Sequence, residues 1–376
     1  MQEVKFGLIG AGIVYRYHKI GINKNPKVKF TSIYDINLNA ARRTAKTNGM
    51  EAFSTLDGFF KSDIDAVLIM TPHYLHVEQV IAAAEASKHV LCEKPMSTTL
   101  EGCDAMIKAT KKAGVKFMIA ENHRFLPAHE YIMKSVQSGL IGKPFLIRSY
   151  EGVNEIEGLM RKGFWKGHPI LAGGGSLIDM GAHKFATLNW ILNDKVEDAY
   201  CYLSKQCTNL EEKAEDNAIT ICKYSSGTLV EITVSFTVQS PLTNSLEIYG
   251  TNGSIIENHD NVNPVKIFSK NDEMGKFKAK WYEPQIEHGP YPKYYEISMR
   301  NEDLYFADCI INDKKPEFTP EQAKEAIFDV LLSYLSAKKG KLTNREELNE
   351  IYNTIGTHSI LEGLEKSVQD NYMFDE

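Results

Sequence analysis

The sequence predicts an α/β fold in the first third of the chain and an α+β fold with an open, mainly antiparallel sheet after it. First, short apolar runs alternate regularly with amphipathic stretches up to about residue 122. Second, consecutive apolar runs joined by glycine-containing turns follow that point. Third, a chain of 376 residues is longer than a domain with a single hydrophobic core usually is. We therefore expect a first domain over residues 1–122, a second over 123–345 and a helical tail over 346–376.

Five apolar runs in the first third predict strands that are covered on both faces, as in a parallel sheet flanked by helices. The runs are VKFGLIG (4–10), VKFTSIYD (28–35), AVLIMT (66–71), HVLCE (89–93) and KFMIAEN (116–122). Residues 76–88 and 100–114 carry helix patterns, and Thr98 with Glu101 predicts a capping box before the second helix. This alternation predicts a doubly wound sheet.

The region after residue 123 predicts hairpins and one long helix. Residues 225–227 and 251–253 are predicted turns, because Asn and Gly tolerate positive φ. Residues 319–339 predict a helix that begins with a capping box of Thr319 and Gln322 and carries Pro320 at its first position. The tail is weakly amphipathic, and its acidic end is a candidate for disorder.

Composition narrows the possible functions. Hydrophobic residues make up 43% and charged residues 24% of the chain, which is ordinary for a globular protein. The net charge of −6 and the lack of a basic stripe give no reason to expect nucleic acid. With no 18-residue apolar run and no secretory signal, we expect no membrane association and a cytoplasmic location. Six scattered cysteines predict reduced thiols.

No metal is expected from the sequence either. The cysteines form no Cys-x-x-Cys pair, so they do not indicate a zinc site. His123 and His129 are six residues apart, a spacing that fits no helical pair of ligands.

The segment Gly10-x-Gly12-x-x-Tyr15 follows the first predicted strand. A dinucleotide-binding loop needs the first glycine for a tight turn and the second so that the backbone can approach the pyrophosphate. The third position usually holds a small residue, so Tyr15 leaves the fingerprint incomplete. Alone, the loop fits an ordinary glycine-rich turn equally well, but a helix pattern follows it and an acid ends the next strand.

That acid is Asp35, which lies 20 residues beyond Tyr15, where a carboxylate would accept hydrogen bonds from the adenosine ribose hydroxyls. A carboxylate there would repel a 2′-phosphate, so NAD is favoured over NADP. Arg42 and Arg43 keep NADP from being excluded. The alternative is that Asp35 only caps the following helix. In context, the loop predicts an N-terminal Rossmann dinucleotide-binding domain.

Six segments resemble, in order and spacing, the glucose-fructose oxidoreductase / inositol dehydrogenase family, written Gfo/Idh/MocA, over residues 1 to about 340. They are GLIGAG, YD, TPHYLH, KHVLCEKP, AENHRF and GGGSLIDMGAH. The resemblance implies NAD(P)-linked oxidation or reduction at a secondary alcohol of a sugar, sugar derivative or cyclitol. It also implies a C-terminal sheet whose broad face often mediates dimers or tetramers, so a homodimer or homotetramer is expected.

The most distinctive segments are Glu93-Lys94-Pro95 and Asp179-x-x-x-His183. The resemblance matches Lys94 to the family's catalytic lysine and Asp179 and His183 to its catalytic pair. It also assigns a loop over the nicotinamide side of the cofactor, with residues Thr71, Pro72 and His76. One departure, besides Tyr15, is Ala186, which stands where many members carry an acid.

The chemistry explains why these residue types are needed. Oxidation of an alcohol sends a hydride to nicotinamide and a proton to a base, and histidine has a reference pKa of about 6.5. Asp179 and His183 would be adjacent if a helix begins near them. Lys94, at the carboxyl end of a parallel strand, would stabilise developing alkoxide charge. Either Lys94 or His183 can be the proton acceptor, and we predict a cis bond before Pro95.

The complete prediction comprises two sets of residues. The cofactor set is Gly10, Gly12, Ile13, Val14, Asp35, Thr71, Pro72, His76, Glu93, Lys94 and Asn122. The substrate set is Lys94, Asn122, Arg124, Trp165, Asp179 and His183. For Arg124 the alternative is an anchor for the interdomain linker.

Three functions remain open from sequence. The first is an NAD-dependent dehydrogenase or reductase. The second is a glycosidase that retains NAD and oxidises the sugar transiently, and the third is a non-catalytic NAD-sensing or partner-binding protein. The identity of the sugar, the reacting carbon and the physiological direction are not fixed by these residues.

Overall fold

The computed structural model describes residues 3–22, 25–208, 212–271 and 280–370. It forms two compact units: residues 1–125 with 295–324, and residues 126–294 with 325–376. The strands are β1 Val4–Ile9, β2 Val28–Tyr34, β3 Glu51–Phe53, β4 Ala66–Ile69, β5 His89–Glu93, β6 Phe117–Ala120, β7 Pro144–Gly152, β8 Val196–Lys205, β9 Asn217–Tyr224, β10 Leu229–Ser235, β11 Thr243–Gly250, β12 Gly253–Asn258, β13 Val265–Ser269, β14 Thr343–Asn344 and β15 Gln369–Asp370. The helices are α1 Tyr15–Ile22, α2 Leu38–Asn48, α3 Leu56–Phe60, α4 His76–Glu85, α5 Leu100–Ala113, α6 Pro127–Gln137, α7 Ile156–Leu159, α8 Ala182–Leu192, α9 Lys293–Ile311, α10 Pro320–Lys339, α11 Arg345–Thr354 and α12 His358–Leu361.

The first unit contains the predicted doubly wound parallel sheet, with strand order β3-β2-β1-β4-β5-β6. This is the strand order of a dinucleotide-binding fold, and the order reverses between β1 and β4. All residues of β4 and β6 are buried, as expected for strands covered on both faces. The three-residue edge strand β3 was not predicted.

Helix ends in the first unit follow capping rules, with one correction. The predicted cap Thr98 is wrong, because α5 begins at Leu100 and Thr99 is its N-cap. The Thr99 hydroxyl oxygen accepts a hydrogen bond from Gly102 N at 3.2 Å. Later in the chain, α9 contributes Phe306 and Ala307 to the core of this unit.

The second unit is built on a mixed, mainly antiparallel sheet. Within the described ranges its path is β13-β12-β11-β7-β10-β9-β8-β14, and β15 pairs with β8. Both predicted hairpins are confirmed: β9 pairs antiparallel with β10, and β11 pairs antiparallel with β12. The pairs β7–β10 and β8–β15 are parallel.

The predicted start of α10 is confirmed in full. Thr319 N donates to Gln322 Oε1 at 3.1 Å, and Gln322 N donates to Thr319 Oγ1 at 3.3 Å, which is a capping box with Pro320 as the first helical residue. The tail forms α11, α12 and β15, and its acidic end past residue 370 lies outside the described residues. No helix in the described part of the chain is long and apolar enough to cross a membrane. All six cysteines are buried free thiols.

Candidate active site

The turn after β1 requires a glycine at its first position. Gly10 has a φ of +104°, and a Cβ there would lie 2.8 Å from Met70 O. At Gly12 the nearest atom to such a Cβ would be the same oxygen, at 3.8 Å, so the backbone here is open to a ligand. The turn stands where β1 and β4 are neighbours, the point at which doubly wound sheets bind nucleotides. Next to it, the large apolar side chain of Ile13 is 66% exposed.

Tyr15 occupies the position where the dinucleotide fingerprint usually has a small residue. Its side chain is buried in the core of the first unit, with its ring centroid 5.9 Å from that of Phe30. Burial raises the pKa of Tyr15 to about 12. The bulky residue is therefore accommodated by the core.

Asp35 holds the glycine loop. Its Oδ2 accepts a hydrogen bond from Ala11 N at 2.8 Å, and its Oδ1 accepts one from Asn37 N at 2.7 Å. The interpretation of Asp35 as the cap of α2 is wrong, because Asn37 is the N-cap and its side chain accepts from Ala40 N. A carboxylate has about four acceptor positions, so two remain for hydroxyl donors.

The Glu93-Lys94-Pro95 segment ends β5 and is held by a buried histidine. His18 Nε2 lies 3.0 Å from Glu93 Oε1, and His18 Nδ1 lies 2.9 Å from Asp303 Oδ1. Burial opposes a charge on His18, but the carboxylates of Asp303 and Glu93 hold its pKa well above the usual value. Glu93 Oε2 in turn accepts from Lys94 N at 3.2 Å, and the Lys94–Pro95 bond is cis, as predicted. His18 is thus a positioning residue for this segment.

The ring of His76 lies between the loop after β4 and the turn after β5. Its ring nitrogens lie 2.9 Å from Pro95 O and 2.9 Å from Thr71 O. Burial lowers the pKa of His76, so at neutral pH only one of these nitrogens carries a hydrogen. The Thr71 hydroxyl donates to Gln79 Oε1 at 2.6 Å. The neutral ring of His76 therefore donates to one of the two carbonyl oxygens, and Gln79 holds the Thr71 side chain at the carboxyl edge of the sheet.

Asn122 and Arg124 follow β6 and contact the later segment of the same unit. Asn122 Nδ2 donates to Ser298 Oγ at 2.8 Å. The Arg124 guanidinium lies 4.3 Å from the ring centroid of Phe318, and burial lowers its pKa to about 10. The described contacts of Arg124 thus support an anchoring function within the first unit.

In the second unit, Asp179 lies in a π-helical turn, Leu177–Gly181, and His183 lies in α8 directly after it. The regular helix assumed in the sequence prediction is therefore replaced at its start by a π turn, a feature that recurs at functional sites. Both side chains are buried. Sequence reasoning missed Lys166, whose Nζ lies 3.1 Å from Asp179 Oδ2 and 3.3 Å from Glu155 Oε1.

Lys166 is a charged anchor for Asp179. Burial lowers the pKa of Lys166, but the carboxylates of Asp179 and Glu155 outweigh it and raise this pKa above its ordinary value. The ammonium therefore stays charged, and it lies 5.2 Å from the ring centroid of Phe236. The neighbouring Trp165 is half-buried, with its ring centroid 6.1 Å from that of Phe164.

A buried carboxyl group fixes the backbone just before Asp179. Glu215 Oε1 accepts hydrogen bonds from Leu177 N at 2.8 Å, Gly175 N at 3.1 Å and the Tyr334 hydroxyl at 2.8 Å. A Cβ at Gly175 would overlap Glu215 O, which explains the glycine. Burial raises the pKa of Glu215 to about 7 despite these donors.

This raised pKa predicts a pH-dependent stability. Because the folded protein binds the Glu215 proton more tightly than the unfolded chain, the contribution is complete below the ordinary value of 4.5 and is lost as pH rises through about 7. Relative to Glu215→Gln, which resembles the protonated acid, the free energy of unfolding should fall by about 3 kcal/mol across that window. Denaturant titrations from pH 4.5 to 8 measure this difference. For the exposed control Glu157→Gln, the free energy of unfolding should change with pH as it does in the wild type. The prediction would be contradicted if the stability difference between the wild type and Glu215→Gln did not change with pH.

A glycine turn at the switch point of a doubly wound sheet, with a carboxylate behind it, defines a dinucleotide-binding protein. Comparison with known proteins identifies its family. Residues 4–121 match the model described as oxidoreductase family, NAD-binding Rossmann fold, and residues 129–256 match the GFO/IDH/MocA C-terminal domain. The chain belongs to the Gfo/Idh/MocA family of oxidoreductases.

Three proteins illustrate what this chain is similar to. The chain is 32% identical to a 1,5-anhydro-D-fructose reductase from Ensifer adhaerens over 67% of this chain and 75% of the relative. It is 27% identical to a myo-inositol 2-dehydrogenase from Thermotoga maritima over 93% of this chain and 99% of the relative. A solved levoglucosan dehydrogenase in complex with NADH and levoglucosan has the same fold, with a TM-score of 0.81, 23% identity, and coverage of 91% of this chain and 99% of that one.

Proposed function

We propose that this enzyme moves a hydride between NAD and a secondary alcohol or ketone of a sugar, glycoside or cyclitol. The observation that carries the proposal is the support built around Lys94 at the carboxyl end of β5. Asp303 holds His18, His18 holds Glu93, and Glu93 Oε2 accepts from the backbone N of Lys94. The relatives named as reductases and dehydrogenases of an anhydro-sugar, an inositol and levoglucosan support the substrate class.

The nucleotide would be held by the first unit. The open backbone at Gly12, with Gly10, Ile13 and Val14, suits a pyrophosphate, and Asp35 has acceptor positions left for ribose hydroxyls. The carboxylate of Asp35 would repel a 2′-phosphate, so we propose NAD as the preferred cofactor. Thr71, Pro72, His76, Glu93 and Asn122 would lie on the nicotinamide side.

The chemical step divides between the cofactor and three side chains. Bound NAD supplies the hydride acceptor. Lys94 donates a hydrogen bond to the reacting oxygen and stabilises its developing negative charge. His183 accepts the alcohol proton, and Asp179, with its carboxylate held by Lys166, orients the alcohol. The functions of Lys94 and His183 can be exchanged without changing the proton balance.

Absorbance of reduced nicotinamide across a panel of inositols, anhydro-sugars, hexoses and glycosides tests the proposal. We expect net NADH formation with at least one secondary alcohol, and a higher kcat/KM with NAD than with NADP. Cleavage of a glycoside without net cofactor turnover would instead indicate the NAD-retaining glycosidase. Binding of NAD with no turnover on the whole panel would contradict the proposed oxidoreductase chemistry.

We also propose that the chain forms a homodimer or homotetramer through its second sheet. Tyr200 is the cross-strand neighbour of Ile221, and Tyr202 is that of Ile219. These four apolar side chains are between 42% and 54% exposed. Contiguous exposed apolar surface of this kind is typical of protein interfaces. A second copy is the natural partner because family sheets of this type associate.

Ile221→Glu is therefore expected to dissociate the oligomer. The substitution buries a carboxylate without a partner, and a two-fold symmetric interface contains it twice. We therefore expect the dissociation constant to rise at least about 10-fold. Light scattering after size-exclusion chromatography measures the mass across a dilution series. The control Val262→Glu introduces the same charge at a side chain that is 93% exposed, and it should leave the mass unchanged. A wild-type protein that is monomeric at every concentration would refute the interface.

A further inference from the structure

A second group of ionisable side chains includes none of the residues proposed for catalysis. It comprises His129 on α6, Glu257 on β12 and His259 just after β12. Glu257 and His259 are two residues apart, and the alternation of buried and partly buried positions along β12 continues to His259, so both side chains face the interior. All three residues are no more than 1% exposed.

The three side chains converge. One ligand atom from each lies within 4.8 Å of the other two. His129 Nε2 is 3.6 Å from Glu257 Oε1, and His259 Nε2 contacts the same oxygen. Ligands at 2.0–2.2 Å from a tetrahedral zinc ion are separated by about 3.4 Å, so small rotations would complete such a site.

The side-chain polar atoms of Glu257 and His259 are poorly satisfied. Both carboxylate oxygens of Glu257 and both ring nitrogens of His259 are buried and make no hydrogen bond of acceptable geometry within the described residues. Native proteins rarely bury such groups unless an ion or water satisfies them. A single cation among the three side chains would satisfy the carboxylate and the imidazoles together.

The ammonium group of Lys184 is engaged by two other residues. Lys184 Nζ lies 2.5 Å from Asn244 Oδ1 and 3.4 Å from Glu151 Oε2. Its charge is therefore shared with Glu151, and a cation bound among the three side chains would add a second positive charge beside Glu257. The backbone of His259 is held by His288, whose Nε2 donates to the His259 carbonyl oxygen at 2.8 Å.

We propose that His129, Glu257 and His259 bind a divalent metal ion of the zinc type. Two imidazole nitrogens and one carboxylate oxygen are a known zinc ligand set, and a water molecule can take the fourth position. The ion would join α6 to β12 and stabilise the second unit. This proposal is independent of the proposed function and replaces the expectation of no metal, which was based on the cysteine pattern and the His123–His129 spacing.

Metal analysis of the tag-free full-length protein tests the proposal. After removal of metals with a chelator and reconstitution with Zn²⁺, we expect about one ion per chain by elemental analysis and an increase in Tm of several degrees. Reconstitution with Co²⁺ should give the visible absorption of a low-symmetry nitrogen and oxygen site. A thiolate charge-transfer band would place the ion on a cysteine and overturn the proposal, as would the absence of both retained metal and a Tm response.

Two variants locate the ion. His259→Gln and Glu257→Gln should each weaken Zn²⁺ binding at least about 100-fold in competition with a chromophoric chelator. His358→Gln is the matched control, because it removes an exposed histidine that also lies 3.6 Å from a carboxylate oxygen, Glu362 Oε1. Binding that survives both cluster substitutions, or that is lost in the control, would overturn the assignment. If the variants do not fold, the Co²⁺ spectrum of the wild type decides alone.

Discussion

Lys94→Ala is expected to lower kcat/KM for the oxidised alcohol by about 10³-fold. Lys94 lies at the carboxyl end of β5, and its backbone N donates to Glu93 Oε2 at 3.2 Å. Removal of its ammonium takes away the hydrogen bond proposed to stabilise the developing alkoxide. The backbone and the nucleotide-binding loop remain, so NADH affinity should change by less than about threefold. Steady-state kinetics and fluorescence titration of NADH measure the two effects.

Lys88→Ala is the matched control for this prediction, because Lys88 precedes β5 at the opposite end of the same strand. Its ammonium donates to Ile64 O at 2.8 Å, so its loss tests stability and not chemistry. The control should keep its turnover per folded molecule. If Lys94→Ala keeps activity within about tenfold of the wild type, Lys94 neither accepts the proton nor stabilises the developing charge.

The fold was largely predictable because its determinants are local. Strands β4 and β6 are apolar along their whole length, and they are buried on both faces in the parallel sheet. The capping box of Thr319 and Gln322 lies within one helical turn and forms as predicted. By contrast, β3 has three residues and no fully buried position, so neither its length nor its pattern distinguishes it from a loop.

Only those residues of the candidate site that belong to a local sequence motif could be predicted. Gly10 and Lys94 stand at the ends of predicted strands, and the sheet places both at its carboxyl edge. His18 has no such signal, because its partner Asp303 is 285 residues away in the sequence. Lys166 likewise lies in an irregular segment, so nothing local indicates its ion pair with Asp179. Long-range charge networks form only when the chain folds.

Lys166→Met is expected to lower kcat/KM about 100-fold and to reduce the free energy of unfolding by about 3 kcal/mol. The substitution keeps the length of the side chain but leaves Asp179 and Glu155 without the ammonium that lies 3.1 Å and 3.3 Å from their oxygens. Two carboxylates would then share a largely buried site, so one would be protonated or displaced. The proposed position of Asp179 beside the alcohol would be lost even though Asp179 itself is unchanged.

A pH profile separates this mechanism from simple destabilisation. Without the ammonium, protonation of a carboxylate should move the acidic limb of kcat/KM to higher pH, an effect that a loss of folded protein cannot produce. Lys166→Arg keeps the positive charge and should retain at least about a tenth of the activity and the wild-type acidic limb. If Lys166→Met matches the wild type in both pH profile and kcat/KM, the ion pair has no function in positioning Asp179. The location of the acidic limb in the two variants therefore shows whether the charge of Lys166, and not only its packing, keeps Asp179 competent.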